Sequence, residues 1–172
     1  MCYIYEYLKH YFKNDIRKGN FYDLGSGTGK GVIAMSLLHP FRKCIGIEFL
    51  ENLTKLSNQN KEKYDKEIDN FIKTKSELFP EFNKKNEIEF INSDFLKQTW
   101  NDTSVMFANS TCFNVDLMKS IAIKANNECQ SGTIIVTLTK KLNQLNNNWD
   151  IHEGFRRLMT WGIATIYVHR KK

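Results

Sequence analysis

The sequence predicts an α/β fold: three layers, with a mostly parallel seven-stranded sheet between helices. Three observations carry that expectation. Short apolar runs alternate with longer segments of helical periodicity through most of the chain. The first such run, Phe21-Tyr22-Asp23-Leu24, breaks at once into the glycine-rich turn Gly25-Ser26-Gly27-Thr28-Gly29, and the apolar face of a helix follows. The C-terminal segment carries two runs that read as an antiparallel hairpin. At 172 residues, 41% hydrophobic and 13% aromatic, the chain is long and apolar enough for one core, so residues 1–172 are expected to form a single domain.

Each element has a local cause. Ile4, Tyr7, Leu8 and Tyr11 recur at helical spacing, which predicts a helix from Tyr3 to Phe12 within a helical lead-in over 1–19. Strands are expected near 20–24, 43–48, 88–93, 104–109 and 133–138, with helices near 29–39, 51–78, 94–98 and 115–129. The 51–78 segment is strongly charged, but Leu53, Leu56, Tyr64, Ile68, Phe71 and Ile72 share one side, the pattern of an amphipathic helix. Residues 80–86 read as a loop, and 140–148 as a polar, mobile one. Two final strands are expected at 153–160 and 163–170, joined by a tight turn at Trp161-Gly162. Ile163, Thr165, Tyr167 and His169 alternate there with Ala164, Ile166 and Val168.

Composition excludes some function classes. No apolar run approaches the roughly 18 residues of a membrane span, and Met1 to Glu6 lack the basic start and cleavage site of a signal peptide. An intracellular protein, nuclear or cytoplasmic, is expected. Cys2, Cys44, Cys112 and Cys129 are scattered without C-x-x-C or paired histidines, so they are read as small core residues and no metal is expected. Net charge is +6 and the pI is near 9.1. That points weakly to an acidic partner such as nucleic acid or chromatin. Lys and Asn are enriched along the whole chain, which looks like compositional bias rather than a patch.

The glycine turn marks a nucleotide-like ligand, and spacing decides which. A Walker loop fails, because Leu24 stands where its first glycine belongs and Gly31 replaces its Ser/Thr. The dinucleotide fingerprint fails because Lys30 occupies its third glycine position. What remains, acidic-x-Gly-x-Gly-x-Gly from Asp23 to Gly29, resembles motif I of class I S-adenosylmethionine-dependent methyltransferases. Cys44-Ile45-Gly46-Ile47-Glu48 then ends a second strand in a carboxylate, about 20 residues beyond the loop, where an acid accepts from ribose hydroxyls. A third run ends in Ser93-Asp94-Phe95. The resemblance implies that Asp94 accepts from the adenine amino group and Phe95 packs on its ring. It also implies the sheet order 3-2-1-4-5-7-6.

The fourth strand runs into Asn109-Ser110-Thr111-Cys112-Phe113. Reactive sites of open α/β sheets lie beyond strand ends near the order reversal, which puts Asn109 where an activated methyl would sit. The competing expectation is that Asn109 caps the next helix, with Ser110 or Thr111.

Several segments together resemble the Dot-type ("disruptor of telomeric silencing") histone-lysine methyltransferases. They are the Asp23–Gly29 loop, Gly46-Ile47-Glu48, Asp94-Phe95-Leu96 with Trp100, Phe107-Ala108-Asn109 through Phe113, Ser131-Gly132 before strand five, and the C-terminal hairpin. The resemblance runs from about residue 20 to the end. It implies a Rossmann-like methyltransferase that binds S-adenosylmethionine and no metal, and that acts on a protein lysine, with histone or chromatin as partner. Asp23, Gly25, Ser26, Gly27, Thr28, Gly29, Glu48, Asp94, Phe95 and Asn109 would bind the cofactor, and Asn109 and Phe113 would serve catalysis. Three departures stand out. Ser110 replaces the family's second active-site asparagine. Ile166 falls where a tyrosine lines the lysine channel. The family's Tyr-Gly-Glu lid and upstream helices have only about 20 residues to match them, so 1–19 reads as a truncated lead-in. Three alternatives remain. One is a lysine methyltransferase like the membrane-associated enzymes that modify ATP synthase subunits. Another is a nucleic-acid adenine methyltransferase, which would want two prolines that Asn109-Ser110-Thr111-Cys112 lacks. The last is a non-catalytic S-adenosylmethionine-binding module.

Overall fold

The strands are β1 (Asn20–Leu24), β2 (Lys43–Glu48), β3 (Glu87–Asn92), β4 (Thr103–Ala108), β5 (Ile134–Leu138), β6 (Trp149–Met159) and β7 (Gly162–Lys171). The helices are α1 (Cys2–Tyr11), α2 (Lys30–Leu38), α3 (Glu51–Lys75) and α4 (Val115–Glu128). This computed structural model describes residues 1–13, 15–16, 19–75, 85–159 and 162–172. The strands form one sheet in the order β3-β2-β1-β4-β5-β7-β6. The first five are parallel, whereas β7 runs antiparallel to both β5 and β6. This is the Rossmann-like methyltransferase topology expected from the sequence.

β1, β4 and β5 are buried along their whole length. Strands covered on both faces read as apolar runs rather than as alternation, which is why the sequence marks them so clearly. On one face, Leu8 of α1, Val32 and Met35 of α2, and Tyr64 and Ile68 of α3 pack over the sheet. On the other, Ile121, Ala122 and Ala125 of α4 pack with Leu24, Ile47 and Met106. α4 starts where the Asn114 side chain accepts from the Leu117 amide at 2.8 Å. At the opposite end of the sheet from the glycine turn, the Asp102 carboxylate accepts from Asn20, Tyr22 and Arg42 at 2.7, 2.9 and 2.9 Å. It ties the starts of β1 and β4 together. Burial, and then Asp102, pushes the Tyr22 hydroxyl up to about 12.

Four expectations need correction. The helix at 94–98 is a single 3₁₀ turn, Phe95–Lys97, because the Asp94 side chain takes the Leu96 amide at 2.9 Å. β6 begins at Trp149, not 153, since Trp149 is buried and residues 149–152 pair with the end of β7. Its register shifts between His152 and Phe155, and a Cβ on Gly154 would lie 1.4 Å from the Ile166 carbonyl oxygen. The 140–148 segment is anchored. Leu142 is fully buried, its amide donates to His169 Nε2 at 3.2 Å, and the Asn146 amide donates to Asn126 Oδ1 at 3.2 Å. Of the four cysteines, Cys44 and Cys129 are buried, but Cys2 and Cys112 are exposed. The end of the expected 51–78 helix, most of the 80–86 loop and the Trp161 turn residue lie outside the described residues. Among the described residues no helix is long and apolar enough to cross a membrane.

Candidate active site

Parallel register brings three loops together at one end of the sheet. Leu24 at the end of β1 sits beside Ile47 of β2 and Ala108 of β4. The chain after β1 turns with left-handed backbone at Gly25, Gly27 and Gly29 (φ 75°, 55° and 79°). Its entry is pinned by the Gly25 and Ser26 amides, which donate to the Ile47 carbonyl at 2.8 and 3.1 Å.

The glycines do different jobs. A Cβ at Gly29 would lie 2.4 Å from Phe90 Cζ and 3.0 Å from Ser57 Cβ, so that position is set by helix-to-sheet packing. A Cβ at Gly27 would meet nothing within 4 Å, so the backbone there is open to a ligand. Gly27→Ala should therefore cost about 1–2 kcal/mol of stability through its left-handed backbone alone. A urea melt of the unliganded protein checks this, and a much larger loss would mean the loop is packed rather than open.

Glu48 closes the loop from the β2 side. One carboxylate oxygen accepts from the Gly27 amide and the other from the Leu50 amide, each at 2.9 Å. Each oxygen keeps a further lone pair, so the fixed carboxylate can still accept from a diol. Asp23 is buried beneath the loop. Desolvation, and then the charge on Glu48, pushes its carboxyl up to about 7. A Cβ on Gly31 would come 2.4 Å from Asp23 Oδ2, so the glycine that breaks the Walker pattern makes room for this carboxyl. Ser26 turns its hydroxyl inward. The oxygen is buried without a partner among the described residues and would lie 2.7 Å from a Cβ on Gly46. The Thr28 carbonyl is held by the Asn60 amide group at 2.9 Å.

Beyond β3, the half-buried Asp94 starts its 3₁₀ turn, and Phe95 stacks on Phe113 with ring centroids 5.8 Å apart and planes 29° apart. Phe113 Cζ also lies 3.5 Å from where a Cβ on Gly25 would be. Phe113 therefore joins the β3 loop to the glycine turn. Asn109 follows β4 and is exposed beside the end of β1, where Leu24 pairs with Ala108. Its side chain makes no cap hydrogen bond, which overturns the helix-cap expectation, as α4 is capped by Asn114. Ser110 is fully buried and donates to the Leu138 carbonyl at 2.6 Å, so it serves the fold. Ile166 is also buried, 1% exposed, in the core cluster that includes residues of α1 and α2.

The sequence did not single out Gly31, Asn60, Phe90, Thr111 or Thr139. Gly31 left a trace as the odd residue after Lys30, and Thr111 as a capping partner for Asn109. The donor set fits S-adenosylmethionine, with an open glycine backbone, a fixed carboxylate for a ribose diol, and an acid with aromatic neighbours on the next strand. Among the described residues no group of His, Cys, Asp and Glu could hold a metal ion.

A family model described as "Histone methylation protein DOT1" matches residues 6–159. A search of curated proteins finds no match. Similar solved structures include an RNA methyltransferase from Salinibacter ruber bound to S-adenosyl-L-homocysteine, with TM-score 0.62 and 16% identity, covering 96% of this chain and 88% of that one. A putative methyltransferase from Streptococcus mutans, also with that product, aligns with TM-score 0.63 at 10% identity over 97% of each chain. A putative methylase from Haemophilus influenzae gives TM-score 0.62 at 19% identity over 99% of this chain and 86% of that one. At these identities the likeness is one of fold.

Proposed function

This chain belongs to the DOT1 histone methylation protein family, and from that premise we propose that it transfers a methyl group from S-adenosylmethionine to a lysine amine of a protein, with histone or chromatin as the substrate class. The observation that carries the proposal is Asn109, a neutral amide beside the glycine turn at the order reversal, exposed and not used as a helix cap. When bound, the cofactor supplies an electrophilic methyl group on a sulfonium sulfur. Glu48 holds the ribose, and Asp94 with Phe95 takes the adenine. The open backbone at Gly27 admits the methionine part. Asn109 accepts a hydrogen bond from the incoming amine and aims its lone pair without adding charge. The partly exposed side chains that follow Asn109 here, Thr111 and Phe113, carry no group basic enough to take a proton from lysine. Proton loss from the lysine is thus driven by its desolvation and passes to water. Phe113 supplies an apolar wall for that desolvation. We place the protein inside the cell, in nucleus or cytoplasm.

Asn109→Ala should leave S-adenosylhomocysteine affinity within about twofold and lower methyl transfer to nucleosomal histones at least roughly tenfold, since the contact is made chiefly in the transition state. Calorimetry and single-turnover labelling measure the two effects. Equal activity in the variant would remove Asn109 from the mechanism. A second reading, methylation of RNA, has the net charge of +6 in its favour. Total RNA belongs in the same labelling assay as a competing acceptor.

A further inference from the structure

Thr139 is the only non-glycine among the described residues with φ in the left-handed region, at 68°. It is β-branched, which makes that backbone costly. The Lys140 amide donates back to the Leu138 carbonyl at 2.7 Å, so Thr139 is the central residue of a three-residue γ-turn with positive φ, a rare and strained form. The surroundings hold the turn from several sides. The Thr139 amide donates to the Thr165 carbonyl at 2.7 Å, Thr137 Oγ1 donates to the Lys140 carbonyl at 2.6 Å, and Ser110 Oγ donates to the Leu138 carbonyl at 2.6 Å. Lys140 Nζ donates to the Phe113 carbonyl.

The turn delivers one hydroxyl to the end of β4. Thr139 Oγ1 lies 3.1 Å from Thr111 Oγ1, and Thr111 Oγ1 donates to Asn109 Oδ1 at 3.0 Å. Thr111 has one proton and spends it on Asn109, so Thr139 donates to Thr111. The chain of two hydroxyls ends on the amide oxygen of an exposed residue, and that oxygen keeps a second lone pair for another donor. An exposed asparagine with no such support would sample several rotamers.

We propose that Thr111 and Thr139 are positioning residues that lock the Asn109 carboxamide in the orientation used for methyl transfer, and that the strained turn at Thr139 exists to reach Thr111. The lock itself is a property of the chain. Its use in transfer rests on the role proposed for Asn109 above.

The test separates the two. In the unliganded protein, the Asn109 side-chain amide is identified by NMR from the signal lost in Asn109→Ala, and its heteronuclear NOE is measured. Wild type and Thr111→Ser should show an ordered amide, while Thr111→Val and Thr139→Val should show a mobile one. This readout needs no acceptor, so it stands whether or not lysine is the substrate. An equally ordered amide in Thr111→Val would overturn the lock. With nucleosomal histones as the probe, or RNA if that is the acceptor labelled, Thr111→Val should lower kcat roughly tenfold with S-adenosylhomocysteine affinity unchanged. Added to Asn109→Ala, it should lower kcat no further. A further drop in that double variant would show that Thr111 acts otherwise than through Asn109, and would overturn the positioning role even if the amide is ordered.

Discussion

Glu48→Ala should bind S-adenosylhomocysteine about 10- to 150-fold more weakly than wild type, a loss of about 1.5–3 kcal/mol for a charged acceptor of two hydroxyls. It should also melt earlier without ligand. The carboxylate is buried and holds the Gly27 and Leu50 amides, and a hydrogen bond to a charged group contributes about 1.5–3 kcal/mol. The two losses have one cause, a side chain that shapes the loop and then faces the ribose. Glu87→Ala, at the far end of β3 and exposed, controls for the loss of an acid in the same sheet. Calorimetry and urea melts read both effects. Unchanged affinity in Glu48→Ala would mean that the end of β2 does not hold the ribose.

The second large effect is on stability against pH, where two buried groups oppose each other. His169 is fully buried. Its Nδ1–H donates to the Ile135 carbonyl, its Nε2 accepts from Leu142, and burial lowers it to about 4 from an ordinary 6.5. The native state holds it neutral, so its contribution is complete above pH 6.5 and is lost as pH falls toward 4. That amounts to about 3 kcal/mol. Asp23 behaves in the opposite sense. Its carboxyl is raised from 3.8 to about 7, so the native state keeps a proton that the unfolded chain gives up. Stability from Asp23 is therefore lost as pH rises from about 4 to 7, by about 4 kcal/mol. Between pH 4.5 and 6.5 the two slopes nearly cancel, and wild type should show a flat profile. Asp23→Asn removes one arm, and its stability should climb by about 2–3 kcal/mol across that window. Urea titrations at pH 4.5, 5.5 and 6.5 measure it. A flat profile in Asp23→Asn would show that His169 titrates normally in the folded protein.

The fold was legible because its parallel strands are covered on both faces and must be apolar runs, and because the glycine turn follows the first of them. Strand ends mark loops, so the positions of Glu48, Asp94 and Asn109 could be read from run lengths. The roles of their neighbours could not. That Leu142 pins a polar segment through His169 depends on a contact between residues 27 apart in sequence. Gly29 and Gly27 look alike in the motif, yet one is fixed by the Phe90 ring and the other faces open space. The cap expectation for Asn109 failed because Asn114, five residues on, stands one position before α4 and takes the Leu117 amide. Thr139 carried no signal at all, since a left-handed threonine is improbable from local preference and is held in place only by three surrounding strands and their loops.

Titration of the wild-type protein with S-adenosylhomocysteine, ATP and NADH in separate calorimetric runs tests the central claim most directly. S-adenosylhomocysteine should bind with a one-to-one stoichiometry and the nucleotides should give no saturable heat. Binding of ATP or NADH with none of S-adenosylhomocysteine would contradict the assignment of the glycine turn, and with it the methyl-transfer chemistry built on Glu48, Asp94 and Asn109.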